Sequence, residues 1–130
     1  MANENGKTVK IKLVSSIIPT EGELEQYEMW LEGSCIEKGE SHYLRYEEVQ
    51  EDLQIQTTVK LHAEQGFIHR KGGVNMRLPL TPGMRSDGHY ESPFCSLPII
   101  TDTYQLAIDV QKNEKVSGRF NTQYDLIIGG

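Results

Sequence analysis

The chain has 130 residues, enough for one domain around one hydrophobic core, and its apolar fraction of 37% suits a sheet in which half of every strand faces water. A net charge of −6 and a pI near 5.2, with no Lys/Arg run longer than two, argue against nucleic acid or an anionic membrane as the main partner. No segment approaches the length of a membrane span, and the opening MANENGKTVK lacks the apolar stretch of a secretory leader.

In chain order, residues 1–6 read as a loose terminus. Lys7–Ile18 alternates Val9, Ile11 and Leu13 against Lys10 and Lys12, the period of two that marks a half-buried strand. Pro19–Gly22 is turn chemistry. The next segment is double-valued: Thr20 and Glu23 imitate a helical capping box, and Leu24, Tyr27 and Leu31 have helical spacing. Tyr27, Met29 and Leu31 also alternate with Glu28, Trp30 and Glu32 between two glycines, and strand is the preferred reading for Leu24–Leu31. A hairpin turn is expected at Glu37–Glu40 and a returning strand at His42–Glu47. An acidic connection, or one short helical turn, follows over Glu48–Asp52.

The cleanest alternation is Gln54–Ala63, with Ile55, Thr57, Val59, Leu61 and Ala63 on one face. Glu64-Gln65-Gly66 then turns the chain into Phe67–Lys71, and Gly72-Gly73 turns it into a strand carrying Val74, Met76 and Leu78 on one side. Turns are expected at Pro82-Gly83 and Asp87-Gly88, then a strand at His89–Ser96 in which Pro93 marks an edge or bulge. Asp102–Gln111 sets Tyr104, Leu106, Ile108 and Val110 against Gln105, Asp109 and Gln111. After a polar turn at Lys112–Lys115, Val116–Ile128 closes the chain with Phe120, Thr122, Tyr124 and Leu126 on one face. The sum is an all-β fold: a single antiparallel up-and-down β-barrel of about 8–10 strands over residues 1–130, since closure removes exposed sheet edges.

Several short motifs together carry a family resemblance: Tyr43-Leu44-Arg45-Tyr46-Glu47-Glu48, Ile68-His69-Arg70-Lys71-Gly72-Gly73-Val74-Asn75-Met76, Tyr90-Glu91-Ser92-Pro93 and Tyr124-Asp125-Leu126-Ile127-Ile128-Gly129. The chain resembles the YwiB-like proteins, small cytoplasmic proteins chiefly of Gram-positive bacteria. The resemblance implies a calycin, or lipocalin-like, barrel and a cytoplasmic location; it implies no chemistry, because that family has no established activity, cofactor or catalytic residue. Phe94-Cys95-Ser96 stands where that family tends to place a glycine after proline. The Gly-x-Trp signature of true lipocalins is absent, since Trp30 precedes Gly33.

Catalytic signatures are thin, and no enzyme is expected. His42, His62, His69 and His89 lack helical metal spacing; His69 and His89 sit on strands of opposite polarity that a barrel could bring together, but surface histidines are the plainer reading. Cys35 and Cys95 have no CxxC spacing and read as free thiols, with one bridge left open. No metal or other cofactor is expected. Two functions remain, neither involving nucleic acid or membrane. In the first, a small, partly apolar ligand binds inside the barrel at Tyr46, Thr57, Arg70, Met76, Tyr90 and Tyr124. Arg70 faces inward if Gly66 keeps the hairpin in simple register, and hydroxyls do not balance its charge, so an anionic ligand is suggested; a salt bridge to Glu47 or Glu48 is the competing reading. In the second, a filled barrel, monomer or homodimer, docks a protein through an outward Trp30.

Overall fold

The structure is a computed structural model that describes residues 7–50, 52–62, 64–112 and 116–128. The expected loose terminus 1–6, Glu51, Ala63, most of the Lys112–Lys115 turn and Gly129 lie outside the described residues, as do the side chains of Tyr27, Ile108, Val110, Gln111 and Val116. Nine strands follow in order: β1 (Lys7–Ile17), β2 (Glu25–Lys38), β3 (Ser41–Gln50), β4 (Leu53–His62), β5 (Gln65–Gly72), β6 (Val74–Leu80), β7 (Arg85–Glu91), β8 (Ser96–Lys112) and β9 (Val116–Ile128). Each is hydrogen-bonded antiparallel to the next, giving a single nine-stranded meander that curls into a half-barrel. The double-valued segment is strand, as its period-two pattern requires.

One face of this sheet is the inside. Cross-strand partners share a face, so the registers Leu44↔Val59↔Ile68↔Leu78 and Gly88↔Ile99 trace its interior. Val59, Leu61, Leu78, Leu80 and Ile99 form the buried core, so the dense packing lies under β4–β8. Burial thins toward β1 and β2, where Val9, Ile11, Leu13, Met29 and Leu31 stay half-exposed. The accessible surface of 9495 Å² exceeds by roughly a third what a compact monomer of 14.8 kDa exposes. The first half of β2, Glu25–Glu32, pairs with β1 alone, because β2 leaves β3 at Gly33.

Two glycines make the curl possible. A Cβ on Gly33 would strike the Arg45 carbonyl on β3, and one on Gly88 would strike the Arg77 carbonyl and sit 3.2 Å from Pro79 on β6. With no side chain at Gly88, β6 and β8 approach each other across β7, and the buried Thr101 hydroxyl donates to the Pro79 carbonyl at 2.6 Å. Farther along β8, Leu106 folds over Gly66 of β5, wrapping the long β8–β9 ribbon across the core.

Four sequence expectations change. Glu48–Asp52 is no acidic connection: β3 runs on to Gln50, and Glu48 is buried. Asp87-Gly88 is strand, because the close approach of β6 needs the glycine where a turn does not. Pro93 sits in the Ser92–Cys95 hairpin turn, and β8 begins at Ser96 rather than Asp102. A register shift between Thr103 and Gln105 ejects Tyr104 from the inner face, leaving it 59% exposed with its hydroxyl donating to Asp125.

Candidate functional site

The row Tyr46–Thr57–Arg70–Met76–Tyr90 runs unbroken across β3 to β7, each residue the cross-strand partner of the next. Five of the six ligand residues read from the sequence therefore stand side by side on the inner face. Tyr124 does not join them: it stands on β9 opposite Thr103, also facing inward. Thr57 lies at the floor of the row, 2% exposed, with its hydroxyl buried and unpartnered, whereas Tyr46, Arg70, Met76 and Tyr90 remain half-exposed. A buried hydroxyl without a partner is costly and uncommon.

The Gly66 hairpin keeps simple register, and Arg70 points inward as expected. Its guanidinium does not lack a counter-charge. Arg70 Nη2 lies 3.5 Å from Glu48 Oε1, and that carboxylate is 5% exposed against 32% for the arginine. The ion pair removes the argument from charge for an anionic ligand. The competing reading, a salt bridge to Glu47 or Glu48, is the one the structure has, with Glu48; the sequence reading put that acid in a loop, whereas it extends the alternation of Leu44 and Tyr46 along β3.

Strand direction then defines a mouth. Odd-numbered strands all end where even-numbered strands begin, so the β1–β2, β3–β4, β5–β6 and β7–β8 turns and the end of β9 share one end. Six of the exposed large apolar side chains among the described residues gather there: Ile17, Ile18 and Leu24 at the first turn, Val49 and Leu53 at the second, and Phe94 at the fourth. Leu126, Ile127 and Ile128 end β9 opposite Thr101, Ile100 and Ile99, short of that rim. At the opposite end the described residues expose Met84, with the exposed Tyr104 beside it on β8. The Arg70 row lies just inside the apolar end, between one and four residues from the strand termini. An open concavity of about 610 Å³ at this end is lined by Lys71, Asn75 and Glu91, which stand on the face opposite the row, together with residues 72–74, 92, 93 and 96; none of the row residues lines it. Exposed charges of this rim are mainly acidic: Glu21, Glu23, Glu25, Asp52 and Glu91, against Lys71. A second open concavity, of about 490 Å³, is lined by residues 32–34, 45–47 and 56–58, where β2 leaves β3.

The remaining candidates are dispersed. Trp30 is 68% exposed on the outer face, its ring 5.7 Å from the Lys12 ammonium. His69 and His89 share that face but are separated by Arg77, and His69 Nε2 is 2.8 Å from Asn75 Oδ1. Among the described residues no three His, Cys, Asp or Glu side chains gather to hold a metal ion. Both cysteines are free thiols; burial, and secondarily Glu37, pushes the Cys35 thiol above its ordinary value despite the opposing effect of Lys7. Among the described residues no helix is long and apolar enough to cross a membrane.

The curled antiparallel meander is the architecture of a small β-barrel protein, and residues 11–130 match the family described as a domain of unknown function, DUF1934. The chain belongs to that family. It is 27% identical over 116 residues to the protein named "Uncharacterized beta-barrel protein YwiB" of Bacillus subtilis (strain 168), covering 89% of this chain and 80% of that protein. The crystal structure of the ywiB protein from Bacillus subtilis superposes with a TM-score of 0.82 at 25% identity, covering 95% of this chain and 84% of that one.

Proposed function

We propose that this protein is a non-catalytic binding module that takes a small, partly apolar ligand through its apolar-rimmed end, against the row Tyr46–Thr57–Arg70–Met76–Tyr90. The observation that carries this reading is the asymmetry of the two ends among the described residues: exposed apolar side chains gather at the one where the row lies. Exposed apolar surface concentrated beside a few convergent polar groups is the usual composition of a ligand site. Met76 offers adaptable apolar contact, the tyrosines offer apolar bodies with hydroxyl handles, and the Thr57 hydroxyl is a polar group that a bound head group can satisfy. Because Glu48 neutralises Arg70 and the rim is acidic, the head group is uncharged or cationic.

Native mass spectrometry of the protein as purified from a cytosolic extract tests this. A discrete added mass that is lost on organic extraction, and with it a fall in thermal stability, supports the reading, since a ligand that binds only the folded state raises stability by mass action. A single unliganded mass, unchanged on exposure to alkylamines and long-chain alcohols, contradicts it. Trp30 favours a second reading, a protein-docking surface, because an exposed tryptophan on a strand flank is a common interface anchor.

A further inference from the structure

The meander has nine strands, and an odd number leaves its two edges, β1 and β9, running in the same direction. Joining them within one copy therefore needs a parallel ladder in an otherwise antiparallel sheet, and among the described residues no such ladder forms. A second copy related by a two-fold axis solves the problem differently, because an edge strand meets its own symmetry mate antiparallel.

The two edges are not equally suited to this. On β1, pairing about Ile11 sets Lys10 directly opposite Lys12 of the second copy, and like charges across a ladder are destabilising; edge lysines are a common guard against such pairing. The β9 sequence is self-complementary about Thr122. Antiparallel pairing centred there sets Arg119 opposite Asp125, Phe120 opposite Tyr124 and Asn121 opposite Gln123, each occurring twice by symmetry. The register with β8 puts Arg119, Asn121, Gln123 and Asp125 on the outer face, all exposed, and Phe120, Thr122 and Tyr124 on the inner face, all partly exposed. Charge therefore meets opposite charge outside, and aromatic meets aromatic inside.

We infer that the chain forms a two-fold homodimer by β9–β9 pairing centred on Thr122. The inference is independent of the ligand mouth, since the centre of the pairing lies mid-strand on a free edge.

Sedimentation equilibrium of the full chain and its charge variants tests it. The parent is expected to be a dimer. Arg119→Asp and Asp125→Arg each place like charges opposite at two symmetric positions, and each is expected to weaken the dimer at least about tenfold. The double variant Arg119→Asp/Asp125→Arg restores opposite-charge pairs and is expected to regain the dimer, a rescue that a misfolded variant does not give. In a Cys35→Ala/Cys95→Ser background, Thr122→Cys sits on the two-fold axis and is expected to cross-link to a covalent dimer under mild oxidation. A monomeric parent, or a dimer insensitive to both single substitutions and not cross-linked through Thr122→Cys, overturns the inference.

Discussion

The Arg70 guanidinium and the Glu48 carboxylate meet across two strand spacings at 3.5 Å, and the acid is the more deeply buried partner. The two ways of breaking the pair are therefore unequal. Arg70→Met strips the cation from a carboxylate that is only 5% exposed, and is expected to cost about 3 kcal/mol. Glu48→Gln leaves a guanidinium that already reaches water, and is expected to cost roughly half of that or less. Urea unfolding of both variants checks the order. An Arg70→Met variant as stable as the parent would show that Glu48 does not depend on Arg70.

Gly88 lets β6 and β8 close over β7. Gly88→Ala places a methyl against the Arg77 carbonyl and Pro79, so backbone must move; the expected loss is about 1–3 kcal/mol, as for other overpacked sites. Protection of the Thr101 amide in hydrogen exchange is expected to fall with it. Unchanged stability and protection would mean that the approach of β6 to β8 is not needed for the fold.

Arg85 donates twice to Asp102, at 2.8 Å each, and the hydrogen bonds, reinforced by the guanidinium charge, hold the Asp102 carboxyl below its ordinary range. A carboxyl lowered in the folded state adds stability at and above the ordinary carboxyl range, and that increment disappears as pH falls through the lowered value. Carboxyl NMR titration is expected to give Asp102 a value below the model aspartate, returning to it in Arg85→Met. The pair is exposed, so the effect on unfolding is small and weakens with salt.

The two thiols differ in reach. Cys95, exposed in the Ser92–Cys95 turn, is expected to react with a maleimide well before Cys35, whose thiolate is disfavoured by burial and by Glu37. Equal rates would show that the inner face at Cys35 is open.

How much of this was legible in the sequence depends on how local the cause is. The face of Arg70 followed from alternation and one glycine hairpin, and so did most of the inner row. Glu48 was named as a partner for Arg70, but its place on a strand was obscured by its neighbours: a run of acids looks like solvated loop until the period of Leu44 and Tyr46 is carried through it. Asp87-Gly88 has turn chemistry, yet the glycine serves an approach of strands that are distant in sequence. Tyr104 was misplaced because a single inserted residue reverses the phase of everything beside it. The first stretch of β8 was obscured by Pro98, which lies on the exposed face opposite His89. The mouth could not be read from composition at all. Ile18, Val49 and Phe94 look like scattered turn residues, and only strand direction gathers them at one end.

The central claim is that this end, and not the other, binds an apolar molecule. Titration with the uncharged fluorophore N-phenylnaphthylamine measures it, comparing the parent with Met76→Lys in the inner row and Met84→Ser at the opposite end. Saturable one-to-one binding that Met76→Lys abolishes and Met84→Ser leaves intact is the result expected. Binding that is absent from a folded parent, or indifferent to Met76→Lys while lost in Met84→Ser, would contradict it.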